Sequence, residues 1–220
     1  SHNYADKPDL FHSEIMLPAG APERFADRAT LWNEVERIEK RKDAQLAREV
    51  EFALPRELST AERIRLAREF VAEAFVSRGM IADINLHVTK TADGQEKPHA
   101  HVMLSMRHVT EVGFGLKERA WNSKQFVNHT RELLAVRTNQ ALAANGIEAR
   151  VDHRSYADRG IDLTPQIKLG PGAAKLVLEG KPSDRAEKLQ AIRTDNLAKI
   201  MATPTLALDY LTEQHSTFTQ

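Results

Sequence analysis

Two stretches of the chain alternate strictly, IADINLHVT (residues 81–89) and KPHAHVMLS (residues 97–105), and the turn pair Asp93-Gly94 lies between them. Such a pair specifies an antiparallel hairpin, because period-two patterning fixes which side chains share a face. In the first stretch Ile84, Leu86 and Val88 point inward and Asp83, Asn85 and His87 outward. In the second, Ala100, Val102 and Leu104 share one face, and His99, His101 and Met103 share the other. Pro98 is tolerated because it falls at a strand start. Residue numbers opposed across an antiparallel pair keep a constant sum. A turn centred on Asp93 therefore sets His87 opposite His99, and one centred on Gly94 sets it opposite His101. Either register gathers three imidazoles on one face.

Three neutral imidazoles on rigid strands, with coordination positions left open, suit a divalent ion that polarises a substrate oxygen. The chain has no Cys, so disulfide frameworks, thiolate zinc sites and cysteine nucleophiles are excluded, and a metal must be held by nitrogen and oxygen. By ligand type the ion is zinc, copper, nickel or manganese. A third alternating stretch, REVEFALP (residues 48–55), turns Val50, Phe52 and Leu54 one way and Glu49, Glu51 and Ala53 the other. Either glutamate is placed to orient a ligand histidine or to accept a proton. His2, His108, His129 and His215 have no comparable geometry.

Around these strands the pattern is helical. Residues 1–26 read as extended and loop-like, with Pro8, Pro18, Gly20 and Pro22. Asp27 caps a helix running to about Lys42 with Leu31, Val35 and Ile38 as its apolar stripe. Ser59 and Glu62 make a capping box for a core-facing helix stopped by Gly79. Residues 122–145 predict a long helix ended by Gly146, and residues 147–152 a short strand. Ser183 caps a further helix, and Thr203-Pro204 opens another. The expected boundary is the Pro- and Gly-containing stretch 170–182.

The 220 residues, 41% apolar, supply one core of ordinary size with an appendage. Lys plus Arg and Asp plus Glu each number 31, so net charge gives no support to a nucleic-acid partner, and the cluster Arg37, Lys40, Arg41, Lys42 reads as a solvated helix end. No apolar stretch approaches the roughly 18 residues that span a bilayer, and no apolar secretory segment opens the chain. The expectation is a cytoplasmic, soluble protein.

KPHAHVMLS with its upstream INLHV resembles the histidine-hydrophobe-histidine motif of the MobA/MobL relaxases, the DNA-strand transferases of plasmid conjugation and mobilisation. HSEIMLP (12–18), RATLWNEVE (28–36), AREVEFALP (47–55) and DHRSYADRGIDLTPQIKLG (152–170) resemble family segments in the same order. The likeness is greatest to the relaxase part of a conjugative relaxase–helicase, and ALDYLTEQHSTFT (207–219) resembles the start of its helicase region, which implies an excised fragment.

The resemblance implies an α+β fold, a central antiparallel β-sheet flanked by helices with a helical C-terminal extension. Residues 1–170 would be the catalytic core and residues 171–220 the linker and extension. It implies His87, His99 and His101 as metal ligands and Glu49 as the active-site carboxylate, with Glu51 second. Arg48, His153, Arg154 and Tyr156 are expected to meet nucleic acid, the last three by phosphate contact and base stacking or else by bracing one another. The implied activity is that of a site- and strand-specific endonuclease acting on single-stranded DNA at an origin of transfer. A tyrosine would form a 5′-phosphotyrosyl link and leave a 3′-hydroxyl. Mn²⁺ or Mg²⁺ is the expected cofactor, with Zn²⁺ or Ni²⁺ as possible occupants, and accessory relaxosome proteins are expected partners of a functional monomer away from membranes. Two alternatives stand beside it. One is a non-cleaving fragment that binds single-stranded DNA and metal; the other is a rolling-circle initiator or transposase with the same histidine motif. In the family the nucleophilic tyrosine lies upstream of the HSEI-like segment. That tyrosine stands in a small-residue stretch not seen here; Tyr4 sits in a segment that resembles the linker after the catalytic helix, Tyr156 lies in the DHRSY segment and Tyr210 in the C-terminal helix, so the sequence is expected to begin downstream of the nucleophile.

Overall fold

The alternating stretches assemble into one four-stranded antiparallel sheet, seen in a computed structural model that describes residues 9–90 and 94–206. Its strands are β1 (Leu10–Met16), β2 (Ala47–Ala53), β3 (Ala82–Lys90) and β4 (Glu96–Ser105), in the order β1-β3-β4-β2. In the hairpin register His87 is opposite His99 and Asn85 opposite His101, the pairing expected of a turn centred on Asp93, which itself lies outside the described residues. The fold class is the expected one, an antiparallel sheet flanked by helices.

One face of the sheet is the main core. Ile84, Leu86, Ala100, Val102 and Leu104 are all 0% exposed. They pack with residues of α2 (Thr60–Ala74) and α3 (Lys124–Ala144), including Phe70, Val71, Leu134 and Leu142. Phe70 meets Phe52 edge-on at 5.0 Å and Phe75 at 5.7 Å, a favoured aromatic geometry. α2 begins where expected, with Ser59 Oγ accepting from the Glu62 amide at 3.3 Å. After a 3-10 turn the chain reverses at Gly79, whose φ of +91° is left-handed. A Cβ there would lie 3.0 Å from His108 Nδ1. Gly79→Ala is expected to lower stability by about 1–2 kcal/mol, read as a fall in the urea midpoint at unchanged m-value.

On the other face, α1 (Arg28–Ile38) covers one end of the sheet through Leu31 and Val35, which join Phe25 and Ile81 in a smaller core. Asp27 caps it as expected, accepting from the Thr30 amide at 2.8 Å. The helix stops at Ile38 rather than near Lys42, because Lys40, Arg41 and Lys42 bring no apolar residue to continue the stripe. The residues expected to face outward on β3 are buried, Asp83 and Asn85 at 2% exposure and His87 at 1%, each with polar partners described below.

Four segments differ from the sequence reading. Residues 10–16, expected as loop, form β1, an outer strand with a bulge between Leu10 and His12; its polar His12 and Glu14 hide the alternation. Residues 147–152 are not a strand. Asn139 instead supplies the pairing, its Oδ1 accepting from Val151 N at 2.8 Å and its Nδ2 donating to Val151 O at 2.9 Å. A hairpin of β5 (Arg107–Thr110) and β6 (Gly113–Lys117) gave no alternation signal, since Val112 and Leu116 are exposed at 88% and 85%. The expected linker holds a helix, α4 (Pro171–Leu178), with Pro at its first position.

The chain divides into two compact units between Asp152 and His153. In the second, α5 (Asp184–Ala202) starts at the expected Ser183 cap, and the buried Asn196 exchanges two 2.8 Å hydrogen bonds with the Thr164 backbone. The helix expected to open at Thr203-Pro204 falls mostly outside the described residues. No described helix is long and apolar enough to cross a membrane.

Candidate metal centre

β3 and β4 bring His87, His99 and His101 together at the end of the sheet away from α1's apolar stripe. Ring centroids are 5.7 Å apart for His87 and His99, 5.4 Å for His87 and His101, and 5.1 Å for His99 and His101. His87 is the buried member, and burial, ahead of the neighbouring imidazoles and against the pull of Asp9, holds its pKa below the usual histidine value. The direction favours the neutral ring, which is the form that ligates a metal.

Each ring is also oriented through Nδ1. His99 Nδ1 donates to the Lys97 carbonyl at 2.9 Å, His101 Nδ1 to Glu49 Oε1 at 2.8 Å, and His87 Nδ1 to Asp9 Oδ1 at 3.3 Å. A carbonyl or carboxylate oxygen only accepts, so each neutral ring carries its proton on Nδ1 and its lone pair on Nε2. One tautomer is thus imposed three times. Histidine ligands of metal ions are held in this way, with the second nitrogen bonded to a carbonyl or carboxylate.

The spacing suits one ion. Three Nε2 atoms at about 2.1 Å from a common cation place ring centroids roughly 5 Å apart, close to the observed values. No three donors among the described residues already converge as a metal group, so the rings would have to turn toward a common point to hold an ion. The all-nitrogen set, with carboxylates in support, matches the chemistry of a divalent transition ion.

Register alone does not single out the glutamate that meets His101. Glu51 is directly opposite His101 and Glu49 opposite Met103, yet it is Glu49 that reaches diagonally to the imidazole. Glu49 thus acts through His101. Glu49→Gln is expected to weaken Mn²⁺ binding by about 10- to 100-fold in a calorimetric titration, the usual cost of losing such a partner.

Sequence reasoning missed two features. Asp9 meets His87 only because β1 pairs with β3, and nothing local marks it. The second is a polar cluster on the same face: Asp83 accepts from Arg28 Nε and Nη2 at 2.8 Å each, from Trp32 Nε1 at 2.9 Å and from Asn85 Nδ2 at 3.0 Å. The quoted segment RATLWNEVE supplied the arginine and the tryptophan without indicating their partner.

Other expected contacts are placed differently. Arg48 lies on the opposite face of β2 from Glu49 and donates to the Trp121 carbonyl at 2.6 Å and to Asn122 Oδ1. Strand alternation turns it away from the imidazoles, so it braces a turn. His153, Arg154 and Tyr156 belong to the second unit. The first two are exposed, whereas Tyr156 is 6% exposed and precedes a 3-10 turn, so its ring is already covered and not presented for stacking.

Residues 1–178 match the MobA/MobL family. The conjugal transfer protein TraA of Agrobacterium fabrum (strain C58) is 34% identical over 253 aligned residues, covering 98% of this chain and 22% of that protein. The mobilization protein MobL of Acidithiobacillus ferridurans is 35% identical across 91% of this chain and 61% of its own length. A structure solved as the molecular basis of vancomycin resistance transfer in Staphylococcus aureus superposes with a TM-score of 0.61, at 37% identity over 67% of this chain and 77% of that one.

Proposed function

The chain belongs to the MobA/MobL family, and from that premise we propose that it is the metal-dependent catalytic part of a DNA relaxase that nicks one strand at an origin of transfer. The observation that carries the reading is that His87, His99 and His101 share one sheet face and each sets Nδ1 against a carbonyl or carboxylate oxygen. His87, His99 and His101 would hold a divalent cation, Mn²⁺ or Mg²⁺ in use, through Nε2. When bound, that cation neutralises charge on the non-bridging oxygens of the scissile phosphate.

The protein's own groups do the rest. Asp9, Glu49 and the Lys97 carbonyl engage Nδ1 of the three rings and leave Nε2 to face the ion. The strand face around them receives single-stranded DNA. In the exchange, a tyrosine oxygen bonds to phosphorus, the 3′-oxygen leaves, and the phenol proton passes to a carboxylate or water, because a phenol of pKa near 10 is a weak nucleophile at neutral pH. One phosphodiester replaces another, so the bond remains available for religation. His153 and Arg154, exposed in the second unit, supply further phosphate contacts.

The test is incubation with 3′-labelled single-stranded oligonucleotides carrying a transfer origin, with and without Mn²⁺. Mn²⁺-dependent binding with a label that stays with the protein under denaturing electrophoresis is the result expected of a chain that carries its nucleophile. Binding without the adduct supports the second reading, of residues that hold DNA and metal without bond exchange. That reading is favoured by one fact: Tyr156, the one tyrosine among the described residues, is buried. Absence of binding contradicts both.

A further inference from the structure

The cluster around Asp83 is more than a brace for α1. Asp83 is 2% exposed and grips the Nε/Nη2 edge of Arg28 bidentately, the geometry that fixes a guanidinium most firmly. The Arg28 side chain nonetheless remains 33% exposed, and no hydrogen bond engages its Nη1 among the described residues. Its Nη2 also donates to Ser13 Oγ at 2.7 Å, and that hydroxyl donates to Asn85 Oδ1 at 2.8 Å. Ser13 is exposed. Register places it on the histidine face, since Ser13 is opposite Asn85 and Asn85 is opposite His101. Two strand spacings, about 10 Å, separate Ser13 from His101.

We propose that Nη1 of Arg28, its guanidinium steadied by Asp83 and Ser13, forms a second phosphate contact on this face, binding the single strand next to the phosphate held at the histidines. The proposal rests on the relaxase reading and names a substrate contact for it. Phosphates along a stacked strand recur every ~3.4 Å of axis, and farther apart when the strand is extended. A neighbouring phosphate therefore falls within reach. An arginine already fixed by a buried carboxylate loses little side-chain freedom on binding. That is the use of burying Asp83 under it.

The experiment measures binding of a fluorescent single-stranded oligonucleotide by anisotropy, in Mn²⁺, across a KCl series. The variants are Arg28→Gln/Asp83→Asn and Ser13→Ala. The paired change removes one charge of each sign, so net charge is preserved, and the exchanged amides keep hydrogen bonding across the pair. The expected result is about fivefold weaker binding and a salt slope smaller by about 0.7, the value for one phosphate contact on a single strand. Mn²⁺ affinity stays within about twofold, because none of the three positions touches an imidazole directly. Ser13→Ala, which leaves the buried pair intact, is expected to weaken binding by about threefold at unchanged slope, because the hydroxyl steadies the guanidinium and carries no charge of its own. If the paired variant does not fold, Ser13→Ala decides alone. Unaltered oligonucleotide binding in the folded variants overturns the proposal and reduces the cluster to a clamp for α1. Absence of oligonucleotide binding by the unsubstituted chain overturns the relaxase reading and the proposal together.

Discussion

His99→Ala and His101→Ala each lower Mn²⁺ affinity by at least about 100-fold, since even the loss of an indirect partner of a ligand costs about 10- to 100-fold. Calorimetry on the unsubstituted chain is expected to give one saturable site. Both rings sit on β4, two residues apart on one face, and their centroids are 5.1 Å apart; removing either leaves two imidazoles, too few to hold the ion against water. His101, 15% exposed, also loses its partner Glu49 on truncation, so a thermal melt of each variant accompanies the titration. His87 is the weaker choice for this test because, at 1% exposure, its loss leaves a cavity and mixes stability with binding. His129, exposed on α3, is the control, and His129→Ala leaves the affinity unchanged. Binding that survives in both β4 variants would move the ion to another group of donors.

Asp83→Ala is expected to cost the fold heavily. It strands the Arg28 guanidinium, the Trp32 indole N–H and the Asn85 amide, all of which donate to that carboxylate. Removing one partner of a buried ion pair costs about 3–5 kcal/mol. Arg28 is a third exposed, and water recovers part of its solvation, so the lower figure, about 3 kcal/mol, applies. For a domain of this size that is a fall in Tm of about 6–12 °C. Arg41 and Asp43 provide the contrast, with a 2.6 Å contact but side chains 80% and 70% exposed. Asp43→Ala is expected to change stability by less than about 0.5 kcal/mol. A thermal melt in which both variants behave alike would contradict the account of how α1 is held on the sheet.

The difference between these two sites follows what a sequence encodes. The histidine face was readable because alternation and one turn position determine it, and the register found, His87 opposite His99, was one of the two that the pattern allowed. The helices with local caps, Asp27, Ser59 and Ser183, were readable for the same reason. Long-range pairings were not. Asp83 looked like an outward polar residue of β3 and is buried because Arg28, 55 residues away, folds over it. Asp9 reaches His87 across 78 residues. Residues 147–152 resembled a strand because Val151 does satisfy its backbone, but through the Asn139 side chain. Arg48, expected to meet nucleic acid, is placed by the period of two on the face opposite Glu49. Tyr156 sits in a motif rich in phosphate-binding residue types, and type says nothing about burial.

The most direct test of the account is pulsed EPR of Mn²⁺ bound to this chain at one equivalent. Nitrogen couplings from three imidazoles are expected, with one lost in each of His99→Ala and His101→Ala under excess metal. A bound Mn²⁺ that shows no nitrogen coupling, or the same couplings in both variants, would contradict a centre built from His87, His99 and His101.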